Sequence, residues 1–194
     1  VLSLGLFIAF RVLNLPDLTV DGSFVTGLAY SAVWTVEGNP VTGIVMGVLG
    51  GTAAGVVTGI LHTKLKIHEI LAGILTMTGL YSINLMVMGL SPTINFYGKK
   101  TVFTFVENKL LFNGTSLGKL VFLLFITLIL VAAIYIFLKT QIGLSLRATG
   151  DNEAMVRSSS INTDAMKILG FAMCNAIVAF SGALYAQDNG NAAH

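Results

Sequence analysis

Charge is what this chain has least of. Asp, Glu, Lys and Arg make up 10% of its 194 residues, while hydrophobic residues make up 55%. A soluble domain carries about a quarter charged residues, so with a mean hydropathy of +0.84 the chain reads as an integral membrane protein. The formal net charge of +2 is too small to point to nucleic acid. A single cysteine, Cys174, sits in an apolar run and excludes an intrachain disulfide and a cysteine-based metal cluster. His62, His68 and His194 are scattered, with no HisGluXxxXxxHis pair, so no metal site is expected. There is no nucleophile elbow, and the segment from Gly114 to Leu120 falls short of a phosphate loop by one spacer residue and the magnesium-binding Ser or Thr. The chain is therefore expected to be no enzyme and to bind no cofactor itself. A basic n-region and a small-residue cleavage site are also missing, so no signal peptide is expected. The chain begins at Val1 already in apolar sequence, and its natural start is expected upstream.

What is present is a series of apolar runs. A hydrocarbon core of about 30 Å needs roughly 20 helical residues. Val41–Leu61, Ile67–Leu90, Leu117–Leu138 and Ala165–Ala186 meet that length, and Val1–Leu15 reads as the tail of another span. Gly22–Val36 is shorter and suggests a broken helix, or one that begins inside the membrane. The expectation is an all-α polytopic helical bundle of about six membrane segments, forming one domain over residues 1–194. The stretch Ser91–Ser116 is expected outside, as a short amphipathic piece. Lys and Arg give the orientation. Arg11, Lys64, Lys66, Lys139, Arg147, Arg157 and Lys167 fall on one side, which the positive-inside rule makes cytoplasmic, against Lys99, Lys100, Lys109 and Lys119.

Two spans carry internal patterns. Gly43, Gly47, Gly51, Gly55 and Gly59 recur every four residues, a spacing that lets helix backbones approach closely. Such a ladder drifts about 40° per step, so five rungs need at least two partner helices and place this helix in the middle of a bundle. A homodimer seam is the alternative. On the next span, Thr76, Met77, Tyr81 and Asn84 project into one sector, which reads either as a solute path or as helix-to-helix glue. Asn175 stands in the last run, Asp21 is expected to cap the short second run, with an intramembrane carboxylate as the alternative, and Glu69 with His68 beside Lys66 reads as an interfacial ion pair.

The polar interval Lys139–Asp164 is the densest cluster of charge. Gly150 is expected to break the chain and Asp151 to cap a short helix over Asn152, Glu153, Ala154, Met155, Val156, Arg157, Ser158 and Ser159. Ala154, Met155, Ser158 and Ser159 then form a small contact face, with Glu153 and Arg157 opposite and wet. A hydrophilic loop lying on the membrane surface is the plainer reading.

GlnIleGlyLeuSerLeuArgAlaThrGlyAspAsnGluAlaMet, from Gln141 to Met155, followed by SerIleAsnThrAspAlaMetLys and PheSerGlyAlaLeuTyrAlaGln, resembles the cytoplasmic loop and following helix of permease subunits of bacterial ABC importers. The resemblance is to the branched-chain amino acid, ribose and simple-sugar group. PheArgValLeuAsnLeuProAspLeuThrValAspGlySerPhe brings it nearer a branch linked to aromatic amino-acid uptake. The resemblance implies a permease in the bacterial cytoplasmic membrane, paired with a second permease subunit, expected to be an identical copy. It also implies an extracytoplasmic solute-binding protein and an ATPase subunit that holds ATP and Mg. Gly150, Asp151, Asn152, Glu153, Ala154, Met155, Arg157 and Ser158 would form the coupling helix onto that ATPase. The solute would pass between two permease subunits. Relative to that family the chain is expected to be partial at both ends. The rivals are a sugar or nucleoside ABC permease and an ion-coupled secondary transporter, for which neither an inverted repeat nor a mid-span acid is evident.

Overall fold

The computed structural model describes residues 1–96, 98–99, 101–104 and 116–193. The chain forms α1 (Leu2–Phe7), continued by a π-helix over Ile8–Leu13, then α2 (Thr19–Val36), α3 (Pro40–Thr63), α4 (Glu69–Val87), β1 (Thr93–Asn95), α5 (Ser116–Lys139), α6 (Gln141–Asp151), α7 (Glu153–Ser158), α8 (Thr163–Asn189) and β2 (Asn191–Ala193). Four helices are long and apolar enough to cross a bilayer among the described residues: α3, α4, α5 and α8, the four runs of full length in the sequence. Leu2–Leu13 is apolar but short. The second run is not broken: α2 is one continuous helix of 18 residues, rich in Ser, Thr and Gly, and it starts beside Asn175, near the middle of α8. Half of Ser91–Ser116 lies outside the described residues. Its start pairs as a strand, β1, antiparallel to β2, with Thr93 opposite Ala193.

α2 occupies the centre. Ser23, Ala29, Ser31, Ala32 and Thr35 have no exposed surface. Its hydroxyls are satisfied locally or across a helix: Thr26 donates to Gly22 O at 2.8 Å, Thr35 to Ser31 O at 2.6 Å, and Ser31 to Ala183 O at 3.2 Å. A hydroxyl that bonds its own backbone leaves no unsatisfied group in lipid. Close approach does the rest. A Cβ on Gly27 would collide with the backbone of Ala179 on α8, and one on Gly182 with the carbonyl of Phe24.

The glycine ladder on α3 divides between two partners. Gly43 lies against Ser31 and Gly47 against Gly27, both on α2. Gly51, Gly55 and Gly59 lie against Ala179, Phe171 and Ile168 on α8. All five are buried. The middle position expected for α3 belongs to α2 instead, because α3 turns Val41, Val45, Leu49 and Val57 outward.

The two ends of the bundle differ. At the end where α8 starts, Ile8, Val12, Leu13, Ile134 and Leu146 form a cluster. Contacts of Leu13 with Gly170, His62 with Phe171 and Lys167 with Glu153 bring the chain's described cations other than Lys99 and Lys119 to this end. At the other end Leu28, Met88, Phe96, Ala186 and Ala192 pack beneath the ribbon.

Candidate functional site

The polar interval folds as two helices meeting at a corner. Thr140 caps α6, its Oγ1 accepting from Gly143 N at 3.2 Å. Gly143, Leu146 and Thr149 are buried at three-residue spacing, so α6 is amphipathic and lies against the bundle. Gly150 does not break the chain. It sits in the last turn of α6, where a Cβ would collide with the carbonyl of Val12 and the backbone of Leu13. Nor is Asp151 the cap, since it too belongs to α6. Asn152 makes the corner at φ −154° and ψ 93°, ending α6 and capping α7, its Oδ1 accepting from Met155 N at 3.1 Å. Asn caps as well as Asp does, and the close fit at Gly150 holds the helix one residue longer than glycine propensity suggests.

α7 exposes Ala154, Met155, Ser158 and Ser159, while Val156 is buried. The opposite face is wet at Arg157, which is exposed, and partly covered at Glu153. Glu153 Oε2 accepts from Lys167 Nζ at 2.8 Å. Arg157 Nη2 donates to Glu153 Oε1 at 3.0 Å, to Thr163 Oγ1 at 3.0 Å and to Asp164 Oδ1 at 3.3 Å. The i,i+4 pair is thus one edge of a five-residue clamp, Glu153, Arg157, Thr163, Asp164 and Lys167, that fixes α7 to the start of α8. The hydrogen bond from Lys167 is the main cause holding the Glu153 carboxyl below its ordinary pKa, partly opposed by burial. Asn162 caps α8 through Ala165 N at 3.1 Å.

A second constellation escaped the sequence. Asp17, 3% exposed, precedes α2. Its Oδ1 accepts from Thr19 N at 2.8 Å and its Oδ2 from Asn175 Nδ2 at 2.6 Å. Ser23 Oγ donates to Asn175 Oδ1 at 2.6 Å, and Thr19 shares a hydroxyl contact of 2.8 Å with Thr58 on α3. Asn175 also donates to Phe171 O at 2.9 Å. Leu18 is the N-cap of α2, and the acid that bonds its first N–H is Asp17 just before it, not Asp21, which is exposed in the first turn. The signal was there: an acid two residues before a Thr, and a lone Asn in mid-span. Glu69 Oε2 lies 3.9 Å from His62 and from His68 rather than within ion-pair range of Lys66.

The sector of α4 splits. Thr76 and Asn84 are buried, Thr76 bonding its own turn at Ala72 O and Asn84 Nδ2 reaching Gly22 O on α2 at 3.4 Å. Met77 and Tyr81 point outward, 38% and 55% exposed. Two of the four thus face the bundle and two face away from it. Thr76 instead borders an apolar cleft of about 420 Å³ with Tyr30, Gly50, Val57 and Ile83. Among the described residues no cluster of His, Cys, Asp and Glu is arranged to hold a metal.

The chain is 40% identical over 190 residues to a protein named tyrosine transport system permease protein from Clostridioides difficile (strain R20291), covering 96% of this chain and 60% of that one. It is 32% identical over 189 residues to an uncharacterized protein of Rickettsia prowazekii (strain Madrid E), covering 97% and 64%. The chain thus spans less than two thirds of the length of either relative. No solved structure matches it. The model of the family described as branched-chain amino acid transport system, permease component, matches residues 1–193. With its long apolar helices and close-packed glycines, the chain belongs to that permease family.

Proposed function

We propose that this chain is the membrane-spanning part of a permease subunit in an ATP-driven importer, with α7 as the element that docks on a separate ATPase subunit. The observation that carries the reading is the clamp. Glu153 and Arg157 tie α7 to Asp164 and Lys167, so a push on its exposed face is delivered to the start of α8. From there α8 touches α1, α2 and α3 along its length. ATP and Mg belong to the partner, and a second copy of the permease completes the route. Leu2–Leu13, as the tail of a span, and α2 supply the further membrane segments, giving about six. The outward Met77 and Tyr81 suit a route between subunits. An amino-acid solute is supported by the name of the Clostridioides difficile relative. A binding protein delivers the solute on the ribbon side, and the setting is the bacterial cytoplasmic membrane. Two arrangements of the clamp relative to the bundle give the two access states.

The test is copurification of the full-length permease with its ATPase, with a crosslinker placed at Ser158. Ala154→Arg is expected to abolish copurification without loss of membrane insertion. ATPase retained at the wild-type level by Ala154→Arg sinks the docking assignment. Asp17 favours one second reading, coupling to an ion gradient through a buried carboxylate. Uptake driven by an imposed proton gradient without ATP, and lost in Asp17→Asn, is the outcome that favours it.

A further inference from the structure

A cleft of about 530 Å³ opens between the π-helical turn, the end of α5 and α6. Its rim carries two arginines from distant parts of the chain, Arg11 and Arg147, both exposed. Neither guanidinium has a carboxylate within 4 Å among the described residues, although Asp151 borders the same cleft. The other wall is apolar: Phe7 and Phe10 are 46% and 50% exposed, and Leu138 continues it. The cleft lies where α6, an amphipathic helix, follows the end of a membrane span, so it sits at the membrane–water boundary. Lys139 marks the same level, its ammonium 4.4 Å from the Tyr135 ring.

Two unpaired arginines above an aromatic wall, at that depth, match one ligand class. We propose that this cleft holds an anionic glycerophospholipid, its phosphate between Arg11 and Arg147, a headgroup hydroxyl donating to Asp151, and an acyl chain along Phe7 and Phe10. Guanidinium binds phosphate in forked, charge-assisted pairs, and basic pockets between membrane helices are a recurrent lipid-headgroup site. Bound there, the lipid bridges the π-helical turn to α6 just where Gly150 meets Val12. This assignment does not rest on the proposed ATPase partner, because lipid binding is read on the permease alone.

The experiment titrates the full-length, detergent-purified permease with phosphatidylglycerol and, separately, phosphatidylcholine, reading retained lipid by native mass spectrometry. Wild type is expected to prefer phosphatidylglycerol, and R11Q/R147Q to lose about tenfold or more of that affinity, the scale of losing charged hydrogen bonds. R11K/R147K is expected to keep a part of it. An unchanged melting temperature of lipid-free R11Q/R147Q separates lost binding from lost folding. If that variant melts early, single R147Q, on the exposed face of α6, decides instead. Three results overturn the site: equal affinity for both lipids, undiminished phosphatidylglycerol binding in the variants, or displacement of the lipid by glycerol phosphate at matched concentration, which would make it a site for free phosphate.

Discussion

α2 and α5 invert the rule that holds in water. α2 carries Ser, Thr, Gly and an acid in its first turn, and it is the buried axis of the molecule. α5 is apolar on every side, and it exposes Leu120, Leu124, Phe125, Leu128, Ile129 and Ile136. In lipid the apolar side chain has no reason to hide, since acyl chains are as apolar as leucine. What gathers helices is close approach and polar pairing, and those need small residues and hydroxyls. Burial in this chain therefore follows side-chain size and hydrogen-bonding capacity rather than hydropathy.

The comparison breaks most readily at Gly27. Gly27→Val is predicted to cost several kcal/mol, above the roughly 1–3 kcal/mol of ordinary overpacking, because the added Cβ meets backbone of Ala179 rather than a movable side chain. Loss of a monodisperse peak in detergent chromatography checks it, and a wild-type elution profile refutes it. Asn175→Leu comes next, at about 2–3 kcal/mol, since it strands Asp17 and Ser23 together. Thermal melting in detergent measures this, and Asn175→Asp should not rescue it, because two buried acids would then face each other. Lys167→Met is smaller, about 1 kcal/mol or less, the pair being partly exposed. Its signature is faster protease cleavage near Ser158. The pH dependence has the same source. Glu153 has a folded pKa below its unfolded value, so its contribution is present above the unfolded value and lost as pH falls through the folded one. Cleavage near Ser158 should therefore rise below about pH 4 in wild type and be less sensitive to pH in Glu153→Gln. Leu124→Ala on α5 is predicted to fall within about 0.5 kcal/mol. A shift as large as that of Asn175→Leu would mean that α5 packs as tightly as α2.

The same inversion explains what was legible in the sequence. Long apolar runs marked α3, α4, α5 and α8, because length and hydropathy are what a bilayer imposes. The four-residue glycine period showed that α3 needed two partners, but not that α2 would be the centre. Hydropathy gives α2 too low a rank, and its importance lies in contacts that no local pattern encodes. The corner at Asn152 was misplaced by one residue. Gly150 reads locally as a breaker, whereas its lack of a Cβ serves Val12 across the fold. Glu153 and Arg157 were legible as a pair and illegible as a clamp, since Lys167 and Thr163 enter only once the chain has turned back. Asp17 stands next to Pro16 in a short connection, and its burial follows from Asn175, 158 residues away in sequence.

α8 joins the two ends of the molecule, and its dimensions set what it can transmit. At 1.5 Å per residue its 27 residues form a rod of about 40 Å. Asn175, bound to Asp17 and Ser23, lies about 18 Å from Thr163 and about 21 Å from Asn189 on the same rise. It is held on both sides of that point: toward Thr163, Gly55 and Gly59 of α3 meet Phe171 and Ile168, and toward Asn189, Gly27 and Phe24 of α2 meet Ala179 and Gly182. A rod gripped along both halves has no free arm. It shifts only in step with α2 and α3.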